Sequence, residues 1–167
     1  MGDQPFFRFY PNAYAEGGPF KRSQELCDIC DREAVWLYTG GIFMEGEEPS
    51  VCARCMADGS LRRKLPKESF TLQDIALGGV GQALADEILT ATPEVSCFNT
   101  FDWPAIDGVP LAYLGVGDDA ALKGDRGAYA AIKAAFEEMG EEDGHPSHAL
   151  VFKQIDGPAY VAVIDLD

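Results

Sequence analysis

Two cysteine pairs with the same spacing constrain this chain most strongly. CDIC occupies residues 27–30 and CARC occupies residues 52–55, with 21 residues between them. A two-residue gap lets both sulfurs of one turn reach the same ion, and two such pairs supply the four ligands of tetrahedral zinc. Four ordinary buried cysteines and a redox dithiol are the alternatives, although a redox motif needs only one pair. The spacing predicts one structural Zn²⁺ held by Cys27, Cys30, Cys52 and Cys55, with no ligand position left for water.

Length and composition indicate a cytoplasmic protein that folds by itself. The chain has 167 residues, of which 47% are hydrophobic, and this is enough for one domain with a buried core. No apolar run approaches the roughly 20 residues of a membrane span, and the first residues, MGDQPFFRFYPNAY, lack the pattern of a secretory signal. Cysteines stay reduced in the cytoplasm, which favours metal binding over disulfides.

The acidic residues are concentrated in the second half of the chain. Residues 1–67 hold 9 Lys and Arg and 10 Asp and Glu, whereas residues 68–167 hold 4 and 18. From Glu68 to Leu122 there is no Lys or Arg at all. Such a surface repels nucleic acid and anionic lipid and attracts basic proteins. The charge pattern therefore predicts a basic protein partner, with no direct nucleic-acid binding and no membrane.

Local patterns predict several elements along the chain. They are a strand at 6–10, a hairpin over 34–44 that turns at Gly40-Gly41, helices over 80–92 and 127–140, a buried strand at 111–116, and a hairpin of 149–155 with 160–166. Together they predict an α+β fold: one compact domain with an N-terminal zinc-ribbon-like four-cysteine element and a C-terminal β-hairpin. Residues 1–67 would form the N-terminal strand and the zinc-ribbon-like element, and residues 68–167 an acidic α+β portion of the same cooperative unit.

Other residues suggest chemistry less strongly. His145 and His148 are the only histidines, and GHPSH is more typical of a solvated loop than of a second metal site. Cys97 has no histidine near it in sequence to act as a base, so a small buried side chain is favoured over a nucleophile. Gly115-x-Gly117 begins like a dinucleotide-binding loop, but Asp118 and Asp119 would repel the pyrophosphate. These residues predict no enzyme activity.

Six segments, in order, resemble the CbrC family of bacterial proteins, which includes a member associated with tolerance to a DNase colicin. They are FRFYPNA, CDIC, WLYTGGIF, CARCMADGS, SFTLQD and TATPE. The resemblance implies that the four paired cysteines are metal ligands and that the chain has a role in toxin tolerance. The chain departs from that family at AIDGVPLAYLG and FKQIDGP, where family members often carry further cysteines.

Charge and resemblance together favour an immunity protein that neutralises a basic toxin, with a nuclease as the expected toxin. The predicted contacts are Asp102, Trp103, Asp107, Asp118 and Asp119, with Phe98 and Phe101 adding apolar area. Two other functions stay open. One is a zinc-ribbon adaptor that contacts nucleic acid or a protein through Arg62, Arg63 and Lys64, and the other is a small metal-dependent hydrolase that uses His145 and His148.

Overall fold

A computed structural model describes residues 4–66, 69–141 and 143–166 of the chain. The predicted boundary between residues 67 and 68 lies outside the described residues, so the proposed division at that point stays a prediction. None of the described helices is both long and apolar enough to cross a membrane.

The described residues include nine strands and four α-helices. The strands are β1 (Phe20–Arg22), β2 (Trp36–Tyr38), β3 (Phe43–Met44), β4 (Phe70–Thr71), β5 (Ala105–Ile106), β6 (Val109–Pro110), β7 (Ala112–Val116), β8 (Ala149–Lys153) and β9 (Tyr160–Ile164). The α-helices are α1 (Ala53–Ala57), α2 (Ser60–Lys64), α3 (Gln82–Ala91) and α4 (Arg126–Met139), and 3₁₀ turns lie at Ala120–Leu122 and Pro146–His148. The structure is therefore mixed α/β with small sheets, which agrees with the predicted mixture of helices and strands.

The described residues group into two compact units that alternate along the chain. The first, called here the cysteine unit, comprises residues 4–7, 13–66, 69–74 and 81–96. The second, called the sheet unit, comprises residues 8–12, 75–80, 97–141 and 143–166.

Short strands and short helices form the cysteine unit. Strand β1 pairs antiparallel with β2, and β3 pairs antiparallel with β4. The hairpin predicted over 34–44 is therefore wrong, because its two arms pair with different, more distant strands. At the predicted turn the Tyr38 hydroxyl donates to the Gly41 carbonyl over 3.1 Å, and a Cβ on Gly40 would lie 2.4 Å from that hydroxyl oxygen. Gly40 leaves room for the tyrosine side chain, and Gly41 supplies the acceptor for its hydroxyl.

Aromatic side chains hold strands β1 and β2 to the N-terminal segment of the cysteine unit. The ring of Phe20 stacks on Phe7 with 5.4 Å between centroids, and on Tyr14 with 5.1 Å. The strand predicted at 6–10 is wrong, since no strand begins before Phe20 in the described residues. The apolar pattern of that segment reflects burial instead: Phe7 and Phe9 are buried, and the Phe9 carbonyl accepts from the Tyr113 N–H over 2.8 Å, but the segment forms no strand.

An antiparallel sheet in the order β7-β8-β9 is the centre of the sheet unit. Helix α4 covers one face, where Ile132 and Phe136 pack in a cluster with Ala149 and Val151. The next residue on the strand, Phe152, belongs to the other face and its ring lies 5.3 Å from that of Trp103. This alternation is the two-residue period of a strand buried on both faces. The predicted C-terminal hairpin is confirmed, because β8 pairs antiparallel with β9.

Helix α4 begins and ends where its sequence places capping residues. The Asp125 carboxylate accepts from the backbone N–H groups of Gly127, over 2.9 Å, and Ala128, over 3.0 Å, as an N-cap does. At the other end Gly140 has a φ of 79°, the left-handed conformation that stops a helix. The predicted helix at 127–140 is confirmed.

Candidate metal centre

The first cysteine pair lies in a tight turn after strand β1. The Asp31 N–H donates to the Cys27 carbonyl over 2.8 Å, and the Cys27 N–H donates to the Arg32 carbonyl over 2.9 Å. Asp31 itself has a φ of 57°, which a β-branched residue would not adopt at low cost. The turn brings both side chains of Cys27 and Cys30 to one side of the loop, as the C-x-x-C spacing predicts.

Strand β2 and helix α1 position the second pair. Cys52 forms an isolated antiparallel bridge with Leu37 of β2, and the Tyr38 N–H donates to the Val51 carbonyl over 2.9 Å. Cys52 then occupies the N-cap position of α1, and Cys55 lies in the first turn of that helix. The three-residue separation puts both sulfurs on the same face of a helical turn.

Hydrogen bonds between Asp28 and Ser50 join the two cysteine segments. The Asp28 N–H donates to the Ser50 carbonyl over 2.8 Å, and the Ser50 N–H donates back to the Asp28 carboxylate over 2.7 Å. The Lys64 ammonium of helix α2 donates to the Asp28 carbonyl. Asp28 directly follows Cys27, and Ser50 lies two residues before Cys52. The bonds between Asp28 and Ser50 therefore fix the distance between the pairs. The sequence analysis did not identify them, because nothing in a local pattern shows which residues face one another across 22 positions.

The four cysteine sulfurs converge on one point. All four lie within 4.8 Å of one another, and the sulfurs of Cys30 and Cys52 are 4.0 Å apart. Sulfurs at about 2.3 Å from a tetrahedral zinc ion would be about 3.8 Å apart. Cys27, Cys52 and Cys55 are buried and Cys30 is partly exposed. The cluster is a possible metal site, and a four-sulfur donor set suits zinc or an iron centre better than magnesium or calcium.

Burial and local hydrogen bonds shift the pKa values of Cys27, Cys52 and Cys55. Burial raises the pKa of Cys27, but backbone N–H groups that point at its sulfur outweigh burial and leave that pKa below the usual value. One of them is the Cys52 N–H, at 3.3 Å from the Cys27 sulfur. Burial raises the pKa of Cys55 and of Cys52. A cation at the centre would favour the thiolate form of all four, since metal binding releases the thiol protons.

The other candidate residues of the sequence analysis are not members of this cluster. Among the described residues, the four cysteines are the one group of three or more His, Cys, Asp or Glu side chains placed to share an ion. The rings of His145 and His148 are 6.2 Å apart, and the His145 Nδ1 pairs with the Ser147 hydroxyl at 2.7 Å. At Gly115-x-Gly117, the Asp119 carboxylate accepts from the Val116 N–H over 2.8 Å. That N–H is therefore bound within the chain.

The predicted partner contacts divide into exposed and buried residues. Asp102, Asp107 and Asp118 are exposed, and Asp119 is partly buried. Trp103 is 2% exposed, and its Nε1 donates to the Leu111 carbonyl over 2.9 Å. The Trp103 ring is therefore part of the core of the sheet unit and offers no surface to a partner in this structure.

Two of the three cations proposed for an adaptor function have partners within the cysteine unit. The Arg63 guanidinium donates to the Asp58 carbonyl over 2.9 Å and to the Ser60 hydroxyl over 2.8 Å. The Lys64 ammonium donates to the Asp28 carbonyl. Both side chains hold local structure together around the cysteine segments.

Comparison with protein families identifies the group to which this sequence is related. The model of an uncharacterised protein family, UPF0167, matches residues 4–161, which is nearly the whole chain. The chain belongs to the UPF0167 family. The predicted membership of the CbrC family is wrong, because the matching family is UPF0167 and the related proteins carry that name. The expectation of colicin tolerance loses its basis with that resemblance.

Curated UPF0167 proteins are about a quarter identical to this chain over the residues that align. A UPF0167 protein of Pseudomonas aeruginosa is 27% identical over 101 residues, which are 59% of this chain and 56% of that protein. UPF0167 proteins of Mycobacterium bovis and Mycobacterium tuberculosis are each 25% identical over 112 residues, which are 66% of this chain and 59% of those proteins. The chain thus spans less than two thirds of the length of these relatives. No solved structure matches it.

Proposed function

We propose that the four cysteines bind one Zn²⁺ as a structural centre. The convergence of all four sulfurs within 4.8 Å, in the cysteine unit, carries this proposal. Four protein ligands fill a tetrahedral shell, so no metal-bound water is left to act as a nucleophile. The ion would hold together two segments that otherwise meet through few hydrogen bonds.

Elemental analysis of protein purified without added metal tests the zinc proposal. We expect about one equivalent of zinc per chain. Cys52→Ser should lose the metal, whereas Cys97→Ser, a matched change outside the cluster, should retain it. Iron in place of zinc would contradict the assigned metal, and full retention of zinc by Cys52→Ser would contradict the assigned ligands.

We also propose that the chain acts as a binding protein, without catalysis, for a basic protein. An exposed aromatic side chain on an anchored loop of the sheet unit carries this proposal: Phe98 is 71% exposed. Asp165, which is 6% exposed, accepts from the Phe98 N–H over 2.6 Å and from the Asn99 N–H over 2.8 Å. A loop held in one conformation loses little entropy when a partner binds.

Charge supports the choice of a basic partner. Residues 68–167 hold 18 acidic residues and only 4 Lys and Arg, and Asp102 lies exposed four residues from Phe98. An apolar side chain surrounded by acidic residues is typical of interfaces in which burial of the apolar group supplies affinity and the charges raise the association rate. A basic nuclease toxin, with this chain as its immunity protein, is the partner we propose to test first, because nuclease surfaces that bind nucleic acid are cationic.

Binding assays with a matched pair of aromatic variants test the proposed partner. A purified cationic nuclease toxin domain would be titrated with wild type, Phe98→Ala and Phe6→Ala, because Phe6 is 75% exposed and lies in the cysteine unit. Phe98→Ala should weaken binding at least about tenfold, Phe6→Ala should not, and association should slow as salt rises. Absence of a complex with that domain would reject the immunity role, and equal effects of both variants would reject the proposed surface.

The proposed cytoplasmic location depends on the chemistry of the cysteines. All five cysteines of the chain are described and none forms a disulfide. Thiols used as metal ligands suit a reducing compartment, which supports the cytoplasm.

A further inference from the structure

A cavity of about 440 Å³ lies along helix α4 within the sheet unit. Its apolar wall includes Leu122, Ala128, Ile132 and Phe136, which are also members of the main hydrophobic cluster of that unit. The cavity shares no residue with the cysteine cluster or with the Phe98 loop. Cavities of 300–1,000 Å³ with mostly apolar walls and a few polar groups are typical of small-molecule sites.

Cationic side chains are concentrated at this cavity. Lys123, Arg126 and Lys133 line it, and they are three of the four Lys and Arg residues in positions 68–167. The same stretch contains 18 acidic residues, but Asp125 is the one acidic residue among the described lining residues. The local charge around the cavity is therefore opposite to that of the surrounding sequence.

The single carboxylate in the lining is already bound by the protein. Asp125 accepts from the N–H groups of Gly127 and Ala128 at the start of α4, and from the Tyr160 hydroxyl over 2.9 Å. The Lys133 ammonium lies 3.5 Å from the Glu137 carboxylate, but this pair is exposed and contributes little. An anion that enters the cavity would therefore meet more positive than negative charge.

Two glycines allow the wall of the cavity to pack closely. A Cβ on Gly144 would lie 2.0 Å from the ring of Phe136, and a Cβ on Gly117 would lie 2.7 Å from the Ile132 side chain. Both apolar side chains of the wall are thus held against backbone. At the cavity edge Tyr129 is 69% exposed, which leaves an aromatic ring available to a bound molecule.

We propose that this cavity binds a small amphipathic organic anion, with its apolar body against Ile132 and Phe136 and its anionic head near Lys123, Arg126 and Lys133. The apolar wall, by itself, would accept any apolar molecule of suitable size. The three cations select an anionic head group. Their positive charge lies in a largely acidic unit, so an anion binds more favourably at this site than on the neighbouring surface.

Titration with matched ten-carbon probes tests both parts of the proposal. Decanoate, below its micelle-forming concentration, would be added to the full chain and followed by calorimetry and by backbone amide shifts. We expect saturable binding with shifts concentrated at residues 122–136. Acetate, which has the head group alone, and decyltrimethylammonium, which has the opposite charge, should each bind more weakly than decanoate.

Charge-reversed variants locate the head group. Lys123→Glu and Lys133→Glu should each weaken decanoate binding about fivefold, the effect of losing an exposed ion pair of about 1 kcal/mol. Lys21→Glu makes the same change in net charge on the exposed strand β1 of the cysteine unit and should leave binding unchanged. Tyr129→Ala, at an exposed position that tolerates truncation, should weaken binding of decanoate and leave the weak response to acetate unchanged.

Four results of the decanoate experiments would overturn the proposal. They are the absence of saturable decanoate binding, equal binding of decyltrimethylammonium, amide shifts concentrated outside residues 117–146, and equal effects of Lys21→Glu and Lys133→Glu. Self-association of the chain that decanoate does not affect and that Lys133→Glu abolishes would assign the cavity to a second copy, and would also overturn it.

Discussion

The strands of the cysteine unit are two or three residues long, whereas β7, β8 and β9 of the sheet unit have five residues each. The contrast extends to two of the three helices of the cysteine unit, since α1 and α2 have five residues each, whereas α3 has ten and α4 of the sheet unit has 14. Helices of one turn are unstable without tertiary support, because nucleation costs more than so few hydrogen bonds return. The sheet unit obtains that support from apolar packing of α4 on the sheet, and the four-cysteine cluster is suited to supply it in the cysteine unit.

Metal removal should produce the largest difference in stability between the two units. Binding of structural zinc contributes about 10–16 kcal/mol in small zinc-binding peptides, so chelation should remove most of the stability of the cysteine unit. Hydrogen exchange should then show loss of protection in α1, α2 and residues 26–33, while β7–β9 and α4 stay protected. Cys55→Ser should reproduce this pattern without chelator, and Cys97→Ser should not. If both units lose protection together, they fold as one cooperative unit and the contrast fails.

Truncation of the α4 core should produce the second largest effect, this time in the sheet unit. Phe136 is 4% exposed, and Phe136→Ala should lower the free energy of unfolding by about 3–5 kcal/mol through a lost transfer term and a cavity. Met139 is 51% exposed on the same helix, so Met139→Ala should cost less than about 0.5 kcal/mol. Denaturant unfolding followed by the ellipticity of the helix measures both. Similar costs for the two variants would show that α4 is not anchored by packing.

Removal of the buried Asp165 carboxylate should have a smaller effect. It accepts from the N–H groups of Phe98 and Asn99 and from the Asn99 amide over 3.1 Å, so Asp165→Ala leaves three donors without their partner. We expect a loss of about 2–3 kcal/mol, with faster exchange confined to the Phe98 loop. Asp118→Ala, at an exposed position, is the control and should be neutral. A neutral result for Asp165→Ala would show that the loop is fixed by other contacts.

The smallest expected effect concerns helix capping. Asp125 caps α4, whereas Cys52 at the start of α1 makes no capping bond through its side chain. Asp125→Ala should cost about 1 kcal/mol. The Ala128 N–H, with help from the Tyr160 hydroxyl, holds the pKa of Asp125 below its usual value. Its ionic contribution is therefore present above about pH 4 and is lost as the pH falls through the lowered pKa.

Unfolding measured at a series of pH values checks the Asp125 prediction. The difference in stability between wild type and Asp125→Ala should shrink as the pH is lowered below about 4. Asp125→Asn keeps a side-chain acceptor and should retain most of the stability without that pH dependence. A constant difference at every pH would show that the charge of Asp125 contributes nothing to the cap.

Short-range features of the sequence predicted the parts of the fold that depend on short-range interactions. The cysteine spacing anticipated the four-sulfur cluster, because the two cysteines of each pair lie in one turn. Gly140 ends α4 at the predicted position, and Asp156-Gly157 lies between the strands of the predicted hairpin. Capping and turn formation involve residues a few positions apart, so the local sequence contains most of the information they need.

Tertiary contacts decided which residues face the core and which strands pair. The spacing of Ala128, Ile132, Ala135 and Met139 in the sequence predicts one buried stripe on α4, but Phe136 is in the core and Met139 is 51% exposed. Strand β2 pairs with β1 instead of β3 because aromatic packing of Phe20 outweighs the local turn signal. Trp103 lies in the core although its flanking sequence is acidic and loop-like.

Local sequence alone determined the four-cysteine cluster, the C-terminal end of α4, the C-terminal hairpin and the separation of charge along the chain. Only the tertiary structure decided that Asp28 and Ser50 join the cysteine segments, that Asp165 anchors the Phe98 loop, and that three of the four cations of the second half meet at one cavity. The physical reason is distance along the chain. The Asp28–Ser50 and Phe98–Asp165 bonds join residues 22 and 67 positions apart, and the cavity is lined by residues from 117 to 146. Which of many such pairings forms depends on the packing of the whole unit rather than on any local preference.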